Sequence, residues 1–313
     1  MTKRERLSKT FRGEKTDRVP VSIYQHSTVH DRGVEPFVEY TLAFHKRFDP
    51  DYVKVMYDEL YDTPVNFQFA VDPSVWGMLE PLDPHKAAFG RYLESLKRVR
   101  ASVDPDTPVI ATIFSPFHIA VRLAWSRLSQ DCREHGAEVA KGLEAITAST
   151  CALVKAARDE AGVDGFFLGA FGAEDSWLSE AEYERLEAPF DRQVLAAMKG
   201  SEFTFVHAHG EEGAHFGIFT GYDCKALSWE DRQGGPDILT ARSRTDKVLV
   251  GGIDHVMAQT CAADAVYAQA RDAIAVSGGR NFILACGCTF LPGTPAENML
   301  ALKKASLDAA EGR

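Results

Sequence analysis

Basic side chains are in short supply in this chain of 313 residues, which has 35 lysines and arginines, 45 aspartates and glutamates, and a net charge of −10. Without a basic surplus a surface cannot neutralise many phosphates, so we expect no binding to nucleic acids or to anionic membranes. Long apolar runs are also lacking, and none approaches the roughly 20 residues that span a bilayer. The charged residues 1–6 precede no apolar segment, so no secretory signal is visible.

Cysteine is too sparse to suggest a disulfide framework. The six cysteines are scattered over positions 132, 151, 224, 261, 286 and 288, and a chain of this length can bury a core without covalent links. We therefore expect reduced thiols and a cytoplasmic protein. The glycine-rich loops that bind nucleotide phosphates are absent as well, which argues against a nucleotide-binding fold.

The chain does contain a regular alternation of short apolar segments with longer helical ones, without a glycine- or serine-rich linker. This alternation predicts βαβ units and a parallel sheet. Roughly eight units in about 300 residues favour an α/β fold of the closed (β/α)8 TIM-barrel type, as one domain over residues 1–313. The expected strands are residues 21–24, 52–57, 108–114, 165–171, 203–210, either 216–219 or 226–229, 247–254, and 282–288.

Two of these strands end in pairs of metal-binding side chains. His207 and His209 end one strand, Cys286 and Cys288 end another, and the spacing of each pair places both side chains on one face of a strand. Nitrogen and sulfur together are the donors that zinc prefers. The pattern predicts a zinc site of His207, His209 and Cys288. Cys286 is either a fourth ligand or a buried small apolar side chain.

The segment after the two thiols predicts the start of a helix. Thr294 can cap this helix, Pro295 suits its first position, and Glu297 can complete a capping box. A strand therefore leads through a short loop into a helix. Ligands bind at this edge of the sheet in parallel α/β folds, so the thiols are expected there.

Other polar side chains follow predicted strands and are expected near the same edge. Asp254 could orient a metal-bound histidine or act as a base, and it could also simply cap a loop or helix. Glu211 and Glu212 follow His209 and could supply a ligand or an acid/base group, although solvated loop carboxylates are commoner. The candidate catalytic residues are Tyr24, His26 and Asp254, and the candidate substrate-binding residues are Gln25, Asp58, Tyr222 and His255.

Four segments, residues 17–21, 48–54, 227–229 and 288–298, carry a resemblance to a known family, and the last of them is the most specific. With these segments the chain resembles the uroporphyrinogen decarboxylase superfamily. That superfamily also contains zinc methyltransferases, which move methyl groups between corrinoid proteins and thiols such as coenzyme M. The resemblance spans nearly the whole chain and implies the (β/α)8 fold, in agreement with the strand count.

The methyltransferase branch is similar in having a His-x-Cys pair and a distant Cys as zinc ligands. By this resemblance His207 matches the family's histidine, and Cys288 matches the distant cysteine through its spacing to residues 294–295. His209 stands where the family has cysteine, so a neutral donor replaces a thiolate there. Cys286 is an extra thiol that could compensate.

The decarboxylase branch resembles the chain less. Those enzymes hold the substrate carboxylates with an arginine-rich segment after the first strand. Here residues 24–30 contain no arginine, and the first one in that region is Arg32. A tetracarboxylate porphyrinogen would therefore lack its cationic clamp.

The leading hypothesis is a zinc-dependent methyl or alkyl transferase, in which zinc activates a thiol or similar nucleophile and a separate corrinoid protein could supply the methyl group. A decarboxylase or other lyase is the second hypothesis, with Tyr24, Asp58 and Asp254 as acid/base groups. The third is a non-catalytic barrel in which four nitrogen and sulfur donors close a structural zinc site. An acidic barrel of this size could also form a homodimer.

Overall fold

A seven-stranded parallel sheet forms the centre of the computed structural model, which describes residues 1–64, 72–210 and 213–312. The strands neighbour one another in chain order from β1 to β7, and all their residues are buried. Burial on both faces explains why these segments are apolar without alternation. The strands are β1 (Val53–Val55), β2 (Val109–Phe114), β3 (Gly165–Ala170), β4 (Phe203–Ala208), β5 (Ala226–Trp229), β6 (Val248–Ile253) and β7 (Phe282–Cys286).

Helices connect the strands and cover the sheet. No helix in the described part of the chain is long and apolar enough to cross a membrane. Short 3-10 helices lie at His30–Arg32 and Pro73–Met78. The α-helices are α1 (Lys3–Phe11), α2 (Val34–Phe48), α3 (Ala87–Ser102), α4 (Pro116–Ala124), α5 (Arg127–Glu134), α6 (Gly136–Ala161), α7 (Glu180–Leu186), α8 (Ala188–Met198), α9 (Phe216–Thr220), α10 (Ile238–Arg242), α11 (Met257–Thr260), α12 (Ala263–Ser277) and α13 (Ala296–Ala310).

The predicted alternation of strands and helices is confirmed, and the fold is α/β. Of the two segments proposed for one strand, residues 226–229 form β5, whereas residues 216–219 lie in α9. That helix is short and apolar, and its length and composition are also compatible with a buried strand. Periodicity alone could not separate the two.

The predicted first strand, residues 21–24, is not a regular strand in the structure. Val21 forms an isolated parallel bridge with Leu284 of β7, and Gln25 forms another with Phe290. On its other side, the backbone N–H of Asp51 donates to the Val21 carbonyl at 2.9 Å. The segment thus lies between β7 and the chain leading into β1, and the described residues form seven regular strands.

A buried ion-pair cluster fixes this segment. Asp51 is fully buried and accepts from Arg6 at 2.6 Å, from Arg18 at 2.7 and 2.8 Å, and from the backbone N–H of Val21 at 2.6 Å. Arg18 belongs to the motif at residues 17–21, and Asp51 belongs to the motif at residues 48–54. The two motifs therefore hold one another, because one carboxylate satisfies both guanidinium groups and a backbone donor.

The capping box predicted at Thr294 is wrong. Helix α13 begins at Ala296, Pro295 occupies the N-cap position, and no side chain caps the helix. The Thr294 hydroxyl instead donates to the Leu291 carbonyl at 2.8 Å, within the turn that precedes the helix. Because this hydroxyl bonds within the turn, it does not cap the helix.

Candidate metal centre and its cavity

Four side chains converge at the carboxyl ends of three strands. His207, His209, Glu230 and Cys288 each offer one ligand atom, and these atoms all lie within 4.8 Å of one another. His207 lies in β4, and His209 follows that strand directly. Glu230 follows β5, and Cys288 lies two residues beyond β7. The parallel register brings these strand ends to one edge of the sheet, as expected for a ligand site in an α/β fold.

Glu230 is the member of this group that sequence reasoning missed. Its Oε1 lies 2.7 Å from His209 Nδ1 and 3.5 Å from His207 Nε2, and its Oε2 accepts from the Gly210 backbone N–H at 3.2 Å. The carboxylate is fully shielded from solvent. A signal was present, because Glu230 directly follows residues 227–229, one of the segments that carried the family resemblance.

The orientation of His207 suits a metal ligand. Its Nδ1 lies 3.2 Å from the Ser228 hydroxyl, which is its register neighbour on β5. The other ring nitrogen, Nε2, is buried and has no hydrogen-bond partner among the described residues. A histidine held through one nitrogen, with the other free and facing a thiol and a carboxylate, is the usual arrangement of a metal-ligating imidazole. The residues present therefore fit a metal ion such as zinc.

The charges within the group are strongly coupled. Burial alone would lower the pKa of His207, but Glu230 and Cys288 outweigh this effect and raise the pKa to about 9. The pKa of His209 is raised for the same reasons. Burial opposes ionisation of Cys288 and Glu230, yet the two histidines hold the pKa of both groups well below the ordinary value. The group thus holds a thiolate and a carboxylate, the anionic donors that a zinc ion binds.

A cavity of about 200 Å³ opens onto this group. Phe114, Phe167 and Phe171 supply much of its apolar wall, and Phe171 stacks on His209 with ring centroids 5.0 Å apart. Burial keeps the pKa of His118 well below its usual value, so this residue is neutral. The lining residues are Tyr24, His26, Lys54, Met56, Thr112, Phe114, His118, Phe167, Gly169, Phe171, His207, His209, Cys288 and Thr289.

Two predicted site residues, His26 and Asp58, form a pair at the cavity. His26 lines the cavity, and its Nδ1 lies 2.6 Å from Asp58 Oδ1. Asp58 Oδ2 also accepts from the Ser27 backbone N–H at 2.8 Å. Burial opposes ionisation of Asp58, but the hydrogen bonds from His26 and Ser27 outweigh it and lower its pKa. Tyr24 also lines the cavity, and its hydroxyl is buried without a hydrogen-bond partner among the described residues.

Cys286 is not brought into the ligand group. It is the last residue of β7 and is fully buried, and its thiol donates to the Cys288 carbonyl at 2.8 Å. Burial raises the pKa of this thiol well above its ordinary value. The strand ends at Cys286, so the alternation that would place both thiols on one face does not continue to Cys288. Of the two readings, the structure supports a buried small side chain.

Four further predicted site residues lie outside the lining of this cavity. Tyr222 is buried, and its hydroxyl donates to Asp191 at 2.8 Å. Asp254 accepts from the backbone N–H groups of Val256 and Met257 at the start of α11, which is the cap anticipated as its alternative role. His255 is buried beside it. The Gln25 amide donates to the Leu291 carbonyl at 2.6 Å.

Glu211 and Glu212, considered above as ligand or acid/base groups, lie outside the described residues.

Residues 2–307 match the family described as Uroporphyrinogen decarboxylase (URO-D), and the chain belongs to this family. Among known proteins it is 28% identical over 222 residues to the Methylcobamide:CoM methyltransferase MtaA of Methanosarcina barkeri. That match covers 67% of this chain and 61% of the relative, so the chain spans less than two thirds of the length of the protein it matches.

Two solved structures share the fold. A methyltransferase from Methanosarcina mazei superposes with a TM-score of 0.83 at 21% identity, covering 98% of each chain. A putative vitamin-B12-independent methionine synthase from Listeria monocytogenes superposes with a TM-score of 0.61 at 13% identity, covering 93% of this chain and 96% of that one. At these identities the likeness shows the fold alone.

Proposed function

We propose that this protein is a zinc-dependent transferase that moves a methyl or other alkyl group to a thiol bound in the cavity. The observation that carries the proposal is the group of four donors with ligand atoms within 4.8 Å of one another, three of which, His207, His209 and Cys288, line that cavity. The name of the Methanosarcina barkeri relative, a methyltransferase, supports the same class of reaction.

His207, His209, Cys288 and Glu230 would hold the metal, and the thiol would bind as a fifth ligand, a coordination number that catalytic zinc can reach. A zinc ion in such a site supplies Lewis-acid activation, which lowers the pKa of a thiol so that its nucleophilic form is present near neutral pH. The two anionic donors, Cys288 and Glu230, match the charge of one divalent cation. His209 stands where the family has a cysteine, so the site has one thiolate fewer. Glu230 provides the negative charge that this thiolate would have supplied.

The remaining residues of the cavity have separate roles in the proposal. Ser228 holds His207 through Nδ1 and so keeps Nε2 available. His26 lines the cavity and accepts the proton that the thiol loses, because Asp58 fixes the imidazole through Nδ1. The phenylalanine wall excludes water, which would otherwise compete with the thiol for the methyl group.

The reaction proposed is the transfer of a methyl group from a donor to the thiol sulfur, giving a thioether. The new bond joins carbon to sulfur, the bond between the methyl carbon and the donor breaks, and the donor keeps the electron pair. The name of the relative points to a methylcobamide as the donor. We propose that a separate corrinoid protein presents it at the cavity.

We also propose that the sheet is a closed (β/α)8 barrel. Residues 20–25 would take the place of the eighth strand, since they contact β7 on one side and the chain before β1 on the other.

A decarboxylase acting on a small acid is the alternative function. The family match favours it, and so do the acid/base pair of His26 and Asp58 and a buried lysine in the cavity wall. Decarboxylation that proceeds without any added thiol would support this alternative.

Elemental analysis of the purified protein tests the proposal first. We expect about one zinc ion per chain, with the metal lost in His207→Ala and in Cys288→Ala and retained in Cys261→Ala, a cysteine outside the group. A cobalt-substituted sample should change its absorption spectrum when a thiol is added. The proposal would be contradicted if the protein bound no metal, or if the absorption spectrum of the cobalt form did not change when a thiol was added.

A further inference from the structure

Lys54 is a buried cation in the wall of the cavity. It lies in β1, and only 9% of its surface is exposed. Its Nζ lies 4.1 Å from the ring centroid of Tyr24 and 4.1 Å from that of Phe167, and it donates to the Met56 sulfur at 3.0 Å. No carboxylate among the described residues lies within 4.0 Å of this nitrogen.

The neighbours of the Lys54 ammonium group leave it poorly satisfied. Two aromatic faces attract a cation, and a thioether sulfur is a weak acceptor for one of its three N–H groups. Burial lowers the pKa of Lys54 to about 8, opposed by Cys288 and Asp58, so the amine is mostly protonated at neutral pH. A buried ammonium group without an anionic partner is costly. A bound anion would supply that partner.

The anionic groups near Lys54 have partners elsewhere. Asp58 is hydrogen-bonded to His26 and to the backbone N–H of Ser27, and the anionic donors Cys288 and Glu230 match the charge of a divalent metal ion. Lys54 is thus left as a positive charge without a bonded anion among the described residues that line the cavity. The part of the cavity beside Lys54 is therefore complementary to a small anion.

We propose that Lys54 is a specificity-determining residue that binds the acid group of the substrate, a carboxylate, a sulfonate or a similar anion. The thiol in this inference rests on the proposed function, whereas binding of the acid group depends on Lys54 alone. The cavity then takes a small molecule that carries both groups: the thiol is placed at His207, His209, Cys288 and Glu230, and the acid group is placed at the ammonium.

Calorimetric titration of the zinc-loaded protein with two thiols tests the proposal. One is 3-mercaptopropionate, which carries an acid group, and the other is 2-mercaptoethanol, which carries a hydroxyl. A charge-assisted hydrogen bond leads us to expect about 10- to 100-fold tighter binding of the acidic thiol. Lys54→Met, which keeps the unbranched shape and most of the length of the side chain, should abolish this preference and leave the affinity for 2-mercaptoethanol unchanged.

Lys247→Met is the matched control, because Lys247 is a partly buried lysine that donates to the Tyr222 and Cys224 carbonyls before β6 begins. It should keep the preference for the acidic thiol. Equal loss of both thiols in a folded Lys54→Met variant would overturn the proposal, as would an unchanged preference. If that variant does not fold, the titrations of the wild-type protein still test the inference, because equal affinity for the two thiols would overturn it.

A second titration separates this inference from the proposed function. Propionate carries the acid group without a thiol, and it should bind the metal-free wild-type protein and not metal-free Lys54→Met. This result would stand even if the protein bound no zinc. Absence of propionate binding to the wild-type protein, together with equal affinity for both thiols, would reject Lys54 as an anion site and leave the metal proposal intact.

Discussion

His209 Nδ1 and Glu230 Oε1 lie 2.7 Å apart, across the carboxyl ends of β4 and β5. This contact makes Glu230 the fourth member of the candidate metal centre, a place that was one of the two roles predicted for Cys286. The difference matters chemically, because a carboxylate is an ionised oxygen donor at neutral pH, whereas burial raises the pKa of the Cys286 thiol well above its ordinary value.

Glu230→Ala and Cys286→Ala should therefore behave differently. Glu230→Ala removes an anionic donor and should release the zinc ion during dialysis against a weak chelator, whereas Cys286→Ala should retain it. Zinc content measured by atomic emission after dialysis distinguishes the two. Retention of metal by Glu230→Ala and its loss from Cys286→Ala would restore the sequence-based assignment.

Ser228 should affect metal affinity without touching the metal. Its hydroxyl lies 3.2 Å from His207 Nδ1, so Ser228→Ala frees the imidazole to rotate and to change tautomer. Loss of such an orienting partner weakens metal binding about 10- to 100-fold, measurable by competition with a zinc chelator. Ser306→Ala is the control, because Ser306 is a buried serine that donates to the Val19 carbonyl. Equal affinity in both variants would argue against the orienting role.

Asp51 should be a major determinant of stability. Asp51→Asn removes the charge that pairs with Arg6 and Arg18 and replaces one of its two acceptor oxygens by an NH2 donor, so Arg18 loses its anionic partner and Arg6 keeps only Asp17. We expect the free energy of unfolding to fall by about 3–5 kcal/mol, measured by urea denaturation. Asp49→Asn is the neighbouring control, since Asp49 is exposed and pairs with lysines, and it should cost under about 1 kcal/mol. A similar fall in the free energy of unfolding in both variants would show that the buried ion-pair cluster is not a major source of stability.

The buried pair of Glu187 and Asp191 should make stability depend on pH. Burial and the nearby Asp191 raise the pKa of Glu187 well above its ordinary 4.5, and burial raises the pKa of Asp191 from 3.8 to about 6. The folded protein therefore keeps protons that the unfolded chain has already lost. Stability from this pair is complete below about pH 4 and declines as pH rises through pH 4–6 and above, at about 1.4 kcal/mol per pH unit for each proton.

Glu187→Gln should remove much of this decline, because the amide resembles the protonated acid. The variant should be more stable than the wild-type protein at pH 8 by about 1–3 kcal/mol, with a smaller difference at pH 4.5. Thermal or urea denaturation at several pH values measures it. Parallel stability curves for the two proteins would show that the pair carries no such proton.

Much of the fold could be predicted because local patterns encode it. The apolar segments that form β2, β3, β4 and β6 lie close to their predicted positions, since strands buried on both faces leave a clear mark in the sequence. Residues 21–24 read equally well as a strand, yet they form isolated bridges. Whether such a segment pairs regularly depends on the strands beside it, which composition does not reveal.

The candidate site was predictable in part for the same reason. His207, His209 and Cys288 were found because they stand at strand ends, and parallel strands bring their carboxyl ends to one edge. Tyr222 and His255 follow strands or short loops too, but the structure buries them away from the cavity lining. Position along a strand does not specify which way a side chain turns once the strand has ended.

By itself, the sequence determined the alternation of strands and helices, the family and three members of the candidate metal centre, because these follow from periodicity, motifs and strand-end chemistry. Only the tertiary structure decided that Glu230 joins the group, that Cys286 stays out of it, and that Lys54 faces the cavity between Tyr24 and Phe167. Those outcomes depend on strand register and on where each strand stops. These features arise from packing between segments that are distant in the chain.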